Sequence, residues 1–401
     1  MTELGLEGIL ERLVQVLESL DETPNEPSEV PYSLAQLLDL VVQHRASLLH
    51  LNVGSPPLLR INSQLVPIGE HQITRGDCRH LLAPVMTRHH RQSLESGKEV
   101  DLCHAAAGTG FRFNLYRERG EIAASIWRLR TDIPRLEDLG LPNELVEQVL
   151  TESSGLVLLT GHPRCGKINT LAALLAHLNQ YRSARVVSLE RPIQFWHQNL
   201  KATMIQREVG SDTASFAHGV QQAVLQDPDV LALSEMPDRD TAELVIRAAA
   251  GGHLVIAVLD ASSSVRAIER LIGTFQEDPD PRVVKTLSRA LRLVLCQTLV
   301  QRTDGRGMMP AFEILLNNDE ISQEIREGRI DNLHWIMQNS GMQTLGRSLS
   351  RLVEVGLVTQ EEALHHVEVP SELDLPTEST TSFEATTPQS TEEETPLMSW
   401  L

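Results

Sequence analysis

The segment that most constrains the fold of this chain combines a buried-strand pattern, a glycine-bearing turn and a helical pattern at residues 155–179. The apolar run GLVLLTG predicts the strand, and the helical pattern covers Thr170 to Asn179. The turn carries the pattern GxxxxGK, formed by Gly161, His162, Pro163, Arg164, Cys165, Gly166 and Lys167. In this context the pattern holds phosphates on backbone N–H groups at a helix N-terminus, and the lysine reaches the β- and γ-phosphates. We therefore predict an ATP site, the alternative being an ordinary glycine-containing turn.

The residue after the lysine departs from the rule for such loops. A Ser or Thr normally follows the lysine because its hydroxyl binds Mg²⁺. Here the position is Ile168, which has no oxygen, and the side chains of Asn169 and Thr170 are expected to point elsewhere on the helix. We include Ile168 and Asn169 among the predicted nucleotide contacts. Mg²⁺ binding is predicted to be weakened, and no residue is assigned as a metal ligand.

Strand and helix patterns alternate around this loop, which predicts an α/β fold with a doubly wound, mainly parallel sheet. The further buried-strand runs are VVSLE, VLALSE and LVIAVLD. We assign residues 131–281 to this domain and residues 282–370 to a mostly helical C-terminal subdomain. Residues 33–130 are predicted to form a smaller α+β domain, in which the alternating runs Gly110–Arg117 and Glu121–Leu129 are antiparallel neighbours.

The two ends of the 401-residue chain are acidic and differ in composition from the rest. Residues 1–30 contain eight acidic residues and one basic residue, and residues 368–401 contain eight acidic residues and no basic one. Of the total net charge of −19, only −4 is therefore left for residues 31–367. Residues 1–32 are predicted to hold an amphipathic helix at 4–20 and a Pro-rich acidic linker. Residues 371–401 are rich in Ser, Thr, Glu and Pro, which predicts a disordered tail, and its PLMSWL end is either an apolar anchor or a frayed terminus.

The composition disfavours several classes of protein. The sequence has no run of eighteen apolar residues, and its first residues carry acids where a secretory signal carries bases, so we expect a cytoplasmic protein. The four cysteines lack CxxC or Cys/His ligand spacing, which disfavours a disulfide scaffold and structural zinc. A nucleic-acid partner needs a basic surface, and none is evident.

Longer segments carry a resemblance to a known family. The segment Gln206–Leu259, QREVGSDTASFAHGVQQAVLQDPDVLALSEMPDRDTAELVIRAAAGGHLVIAVL, and the segments SLERPIQF, GMQTLGRSL and TLAALLAHLN resemble the type IV pilus retraction ATPases (the PilT-like family) of the type II/IV secretion ATPase class. The resemblance covers about residues 33–367. It implies a PAS-like N-terminal lobe and a RecA-like C-terminal lobe. It also implies a ring-shaped homo-oligomer, expected to be a hexamer, that closes around ATP between neighbours. The implied partners are the pilus inner-membrane platform protein or other pilus ATPases, and the implied location is the cytoplasmic face of the inner membrane at the pilus base.

The resemblance also implies roles for three carboxylates. Glu190 keeps the group that orients or deprotonates the attacking water, although Arg191 and Gln194 replace acidic family residues beside it. Glu235 would face the metal or its water shell. Asp260 stands where the family has a histidine, so its catalytic role is an open question. A surface or capping role is the alternative for a single carboxylate such as Glu190.

The resemblance also implies roles for arginines of the N-terminal lobe and for one helix near the C-terminus. Arginines of the N-terminal lobe reach a nucleotide in the family, and Arg112 and Arg119 are the better candidates for this role, the alternative being exposed strand arginines. The segment Glu320–Arg329, EISQEIREGR, partly matches a helix that matters for retraction beyond hydrolysis itself. Its partial match indicates that contact with the pilus machinery is kept.

Three hypotheses about function stay open. The preferred one is a PilT-like subunit that binds nucleotide and assembles as a ring but hydrolyses ATP slowly or not at all. The second is a working retraction motor whose unusual residues compensate for one another. The third is a docking protein that has lost nucleotide binding and keeps the fold. Intact Gly161, Gly166 and Lys167 favour the first two, and Ile168 and Asp260 favour the first over the second.

Overall fold

The computed structural model describes residues 31–141, 143–275, 281–367 and Leu373. The predicted N-terminal helix and acidic linker lie outside the described residues, as does the acidic tail apart from Leu373. Within the described part of the chain, no helix is both long and apolar enough to cross a membrane.

The first lobe, residues 31–130, is built on a six-stranded antiparallel sheet with strand order β3-β2-β1-β6-β5-β4. Its elements are α1 (Leu34–Gln43), β1 (Leu48–Leu51), β2 (Leu58–Ile61), β3 (Gln64–Pro67), α2 (Arg75–Leu82), α3 (Arg88–Glu95), β4 (Val100–Ala106), β5 (Thr109–Glu118) and β6 (Glu121–Arg128). Helix α1 begins at a capping box formed by Ser33 and Gln36, and its leucines at helical spacing are buried against the sheet. The two runs predicted to be antiparallel neighbours are β5 and β6, which confirms that prediction.

The second lobe is built on a seven-stranded sheet with strand order β13-β12-β7-β11-β10-β8-β9. Its first elements are α4 (Asn143–Thr151), β7 (Gly155–Gly161), α5 (Lys167–Tyr181), β8 (Arg185–Glu190), β9 (Thr203–Glu208), α6 (Phe216–Val224) and β10 (Val230–Leu233). They are followed by α7 (Arg239–Ala250), β11 (Leu254–Asp260), α8 (Ser264–Gly273), α9 (Pro281–Ala290), β12 (Leu291–Gln301) and β13 (Met308–Leu316). The last helices are α10 (Asp319–Glu327), α11 (Asn332–Asn339), α12 (Leu345–Glu354) and α13 (Gln360–His365).

This sheet is doubly wound. Six of its strands are parallel, and only the edge strand β13 is antiparallel, to β12. Helices α4 and α5 contribute to the apolar core on one face, and helices α6 to α11 contribute to the core on the other. The central strands β7, β10 and β11 are almost fully buried, which explains why they read as continuous apolar runs. The predicted α/β fold class is therefore confirmed.

The prediction of a mostly helical segment from residue 282 is wrong at two places. Leu291–Gln301 and Met308–Leu316 are strands, and they extend the sheet of the preceding domain. The run LRLVLCQTLVQ is apolar nearly throughout because β12 lies between β7 and β13 in the sheet and is largely buried. A continuous apolar run does not distinguish a buried strand from a buried helix.

Contacts between the first lobe and the second include a backbone bridge at Arg130 and a side-chain hydrogen bond at Cys103. The backbone N–H of Arg130 donates to the carbonyl of Gln194 at 3.1 Å, and that of Trp196 donates to the carbonyl of Arg130 at 2.8 Å. The Arg130 guanidinium also lies 4.6 Å from the centre of the Phe195 ring. At the second contact, the Cys103 thiol of β4 donates to the Glu208 carboxylate of β9 at 2.9 Å.

Candidate functional site: a phosphate loop with a paired lysine

The loop between β7 and α5 has a backbone that depends on glycine. Gly161 and Gly166 have φ angles of +142° and +90°, which residues with a side chain rarely adopt. A Cβ at Gly161 would lie 2.3 Å from the carbonyl oxygen of Gln297 in β12, so a side chain has no room there. His162, Pro163 and Arg164 are exposed. The loop therefore presents open backbone at the N-terminus of a fifteen-residue helix, an arrangement that binds phosphate.

Lys167 is the first residue of α5 and is buried, with 8% of its surface exposed. Its Nζ donates to the carbonyl oxygens of Gly161 at 2.9 Å and His162 at 2.7 Å. Its third partner is the Asp260 carboxylate, whose Oδ1 lies 2.9 Å from Nζ. Asp260 ends β11 beside Gly161 in the parallel register, so the two strand ends bring this pair together. Asp260, which stands where the family has a histidine, is thus in direct contact with Lys167 of the phosphate loop.

Neither Ile168 nor Thr170 offers a free side-chain oxygen to a cation. Ile168 packs against the apolar core beneath α5. The Thr170 hydroxyl is buried and donates to Gln297 Oε1 at 2.6 Å. These contacts agree with the expectation that Ile168 offers no ligand and that Thr170 points elsewhere. Asn169 is half-buried on the same turn.

Gln297 is a residue of the site that sequence reasoning missed. It lies in β12, and its side chain bridges the loop and the helix: Nε2 donates to the Cys165 carbonyl at 2.7 Å, and Oε1 accepts from Thr170. A signal was present, because Gln297 is a polar residue inside a nearly continuous apolar run. Because the local pattern predicts a helix for this segment, it does not indicate that Gln297 lies next to the loop.

Glu190 ends β8 and is buried, with 5% of its surface exposed. Its Oε1 accepts hydrogen bonds from the Ser188 hydroxyl at 2.7 Å and from Gln206 Nε2 at 3.1 Å. Burial raises the pKa of this carboxyl above its ordinary value, although both hydrogen bonds favour the ionised form. A carboxyl with a raised pKa at a strand end suits a proton acceptor, which is one of the roles that the family resemblance implies for Glu190.

Arg191 binds Glu235. Its Nη2 lies 3.1 Å and 3.0 Å from the two carboxylate oxygens, and its guanidinium also sits 5.2 Å from the centre of the Phe216 ring. Arg191 directly follows Glu190 in the sequence, but its guanidinium forms an ion pair with Glu235. The carboxylate that was expected to face a metal therefore faces a guanidinium.

The two candidate arginines of the first lobe lie apart from the loop. Arg112 in β5 has its Nη2 3.4 Å from Asp101, and its buried Nε has no hydrogen-bond partner among the described residues. Arg119 is exposed at the turn between β5 and β6. Within the described chain, no hydrogen bond or ion pair joins either arginine to the phosphate loop of the same subunit.

The fold and the loop together define a phosphate-loop protein with a doubly wound sheet and an added N-terminal lobe. A family model described as "Type II/IV secretion system protein" matches residues 129–365. Type IV pilus ATPase PilU of Pseudomonas aeruginosa is 33% identical over 85% of this chain and 90% of its own length. Type IV pilus retraction ATPase PilT of the same organism is 31% identical over 84% of this chain and 98% of its own length.

The structural comparison agrees. A crystal structure described as the pilus retraction motor PilT with bound ADP superimposes with a TM-score of 0.71, at 33% identity, over 85% of this chain and 99% of that one. The chain therefore belongs to the type II/IV secretion ATPase family, as a member similar to the PilT and PilU type IV pilus ATPases. The predicted resemblance is confirmed.

Proposed function

We propose that this chain is a nucleotide-binding subunit of type IV pilus machinery in which ATP hydrolysis is slow or lost. The observation that carries the proposal is the Lys167–Asp260 ion pair next to Ile168. The loop keeps the glycines and the lysine that hold phosphate. It lacks the hydroxyl that holds Mg²⁺, and its lysine already has an anionic partner.

Nucleotide binding is supported by the loop backbone. The N–H groups at the start of α5 are arranged to bind the phosphates, since the glycines leave the backbone open. Lys167 would exchange its carboxylate partner for a phosphate oxygen. The bound ADP of the similar PilT crystal structure supports nucleotide binding here.

The residues present do not fit Mg²⁺ in the position usual for this loop. Ile168 has no oxygen, the Thr170 hydroxyl is bound to Gln297, and Glu235 is paired with Arg191. Phosphoryl transfer depends on stabilising charge that develops on the γ-phosphate and on orienting the attacking water. Losing one such group costs about 3 kcal/mol of transition-state stabilisation, so three departures at one site should slow hydrolysis.

The oligomer and its location are proposed from the similarity to the pilus ATPases. A ring of identical subunits, six by analogy with the family, would let Arg112 and Arg119 approach the loop of a neighbour, since among the described residues neither forms a hydrogen bond or ion pair with the loop of its own chain. The similarity also supports a cytoplasmic position at the inner-membrane pilus base, with the platform protein or another pilus ATPase as partner.

Helix α10, which carries most of EISQEIREGR, borders a cavity of about 650 Å³ with α8 and α9, and Arg326 and Glu327 line it.

One experiment separates this proposal from a working motor and from a docking protein. ATP affinity is measured by calorimetry with Mg²⁺ and with EDTA, beside steady-state phosphate release. The parent should bind ATP with little dependence on Mg²⁺ and release phosphate slowly. The triple variant Ile168→Ser, Arg191→Asp, Asp260→His should release phosphate faster, because the three positions act on one transition state.

The matched control is the same triple variant with Lys167→Ala, which should lose the recovered activity. Rapid hydrolysis by the parent would contradict the proposal in favour of the working motor. No nucleotide binding by any form would favour the docking protein.

A further inference from the structure

We propose that Asp260 makes the phosphate loop selective for nucleoside diphosphates over nucleoside triphosphates. The inference rests on the proposed function in one respect, that nucleotide binds at the loop. It adds which phosphate state the loop retains and names the residue that decides it.

The position of the Asp260 carboxylate is the first step. Its Oδ1 lies 2.9 Å from the Lys167 ammonium, which is the group that contacts the β- and γ-phosphates in a loop of this kind. Two carbonyl oxygens of the loop hold the other side of the same ammonium. The carboxylate therefore lies where an oxygen of the terminal phosphate would approach the lysine.

Hydrogen bonds and strand pairing hold the backbone around Asp260, so this backbone does not readily move away from the loop. The Arg270 guanidinium in α8 donates to the Asp260 carbonyl oxygen. The Thr160 hydroxyl in β7 donates to the carbonyl of Ala261, the next residue, at 3.3 Å. Asp260 also stays in register with Gly161 at the end of the neighbouring strand. A bound ligand must accommodate the carboxylate through rotation of its half-exposed side chain alone.

The charge of the ligand then decides affinity. The β-phosphate can bind the backbone N–H groups at the start of α5, and it can reach Lys167 once the Asp260 side chain has rotated away. A γ-phosphate adds negative charge beside the carboxylate, and like charges a few ångströms apart repel strongly in a partly buried site. In an ordinary loop Mg²⁺ would screen that charge, but Ile168 cannot hold the metal there. The triphosphate therefore carries a penalty that the diphosphate does not.

The test measures the affinities of full-length protein for ADP and for ATP by calorimetry in EDTA, with the parent and with Asp260→Asn. Asparagine keeps the shape of the side chain and removes its charge. The parent should bind ADP at least tenfold more tightly than ATP. In Asp260→Asn the ratio should fall to within threefold, mainly because the affinity for ATP rises.

Asp304→Asn is the matched control. Asp304 is an aspartate in the turn between β12 and β13, paired with Arg302 at 2.7 Å, so its removal changes the net charge equally without touching the loop. This variant should keep the parent's preference for ADP. Thermal unfolding of each variant verifies that it is folded.

Different outcomes would contradict the selectivity for diphosphates and the proposed nucleotide binding itself. Equal affinity of the parent for ADP and ATP, or an unchanged ratio in Asp260→Asn, overturns the selectivity while the nucleotide site stands. Binding that survives Lys167→Ala unchanged, or no binding of either nucleotide, overturns both.

Discussion

Lys167 already has an acceptor for each of its three N–H groups, two loop carbonyls and the Asp260 carboxylate. Only the carboxylate belongs to an exposed side chain, so it is the partner that a phosphate displaces. At the end of β8, Glu190 shows the opposite arrangement, a carboxyl enclosed by hydrogen bonds and burial. Single side chains thus set both the charge that the site offers and the proton that it can accept.

A buried histidine, His197, is expected to lower the stability of the protein at acid pH. His197 is buried, its Nδ1 has no hydrogen-bond partner among the described residues, and burial lowers its pKa from 6.5 to about 4. The unfolded chain binds the proton near pH 6.5, whereas the folded chain does not until about pH 4, so stability falls as pH drops through this window. Between pH 7 and pH 5 the free energy of unfolding should fall by about 2 kcal/mol from this group.

Chemical denaturation of the parent and of His197→Leu at both pH values measures this. The difference in unfolding free energy between the two proteins should shift by that amount in favour of the variant at pH 5, whatever the packing cost of leucine. His89→Leu, at an exposed position of α3, is the control and should show no such shift. A constant difference between parent and His197→Leu across the range would refute the assignment.

Among the elements, β12 does more for the site than its place in the sheet suggests. It lies beside β7 in parallel register, and its Gln297 ties the Cys165 carbonyl to the start of α5. The loop is therefore held from below by a strand that comes 130 residues later in the chain. This long-range support keeps the glycine turn in one shape before a ligand arrives.

Replacing Gln297 by alanine should loosen that support. The change leaves the Cys165 carbonyl and the Thr170 hydroxyl buried without a partner, at a cost of about 1–3 kcal/mol for each unsatisfied group. We expect a lower unfolding temperature and weaker nucleotide binding together. Gln301→Ala, at the exposed end of the same strand, should change neither, and equal behaviour of the two variants would show that the bridge is unimportant.

The sequence predicted those parts of the fold that depend on local pattern. The strand, the glycine turn and the helix around Lys167 were recognisable because buried parallel strands are apolar throughout and the turn has fixed spacing. Lys167 pairs with Asp260, and Arg191 pairs with Glu235, because the strands that carry or precede them are neighbours in the sheet. The order of strands in a sheet cannot be predicted from the local sequence pattern. The same limit hid β12 and β13, whose apolar runs fit a helix equally well, and with them Gln297.

At the scale of the whole molecule, the two lobes meet through a close glycine contact. A Cβ at Gly110 in β5 would lie 2.4 Å from the Trp196 ring of the second lobe and 2.7 Å from Leu129. The absence of a side chain at Gly110 therefore permits the observed approach of the lobes. Both neighbours adjoin the Arg130 backbone bridge, so the contact and the bridge form one junction.

Gly110→Ala should force this junction apart. We expect a lower unfolding temperature and faster proteolysis between residues 129 and 141, because the added methyl group cannot fit without moving the Trp196 ring. Gly273→Ala makes the same chemical change where nothing lies within 4 Å of the new Cβ, so it should leave the proteolysis unchanged and should not lower the unfolding temperature. Identical proteolysis of the two variants would exclude steric control of the junction by Gly110.

The Arg130 bridge also has a mechanical consequence. Phe195, which is flanked by the two hydrogen bonds to Arg130, lies only four positions beyond Arg191 at the edge of the nucleotide site. Four residues span at most about 14 Å, so this strut has little slack. A displacement of the β8 end would therefore pull on the first lobe at Arg130, because the short segment between them cannot lengthen.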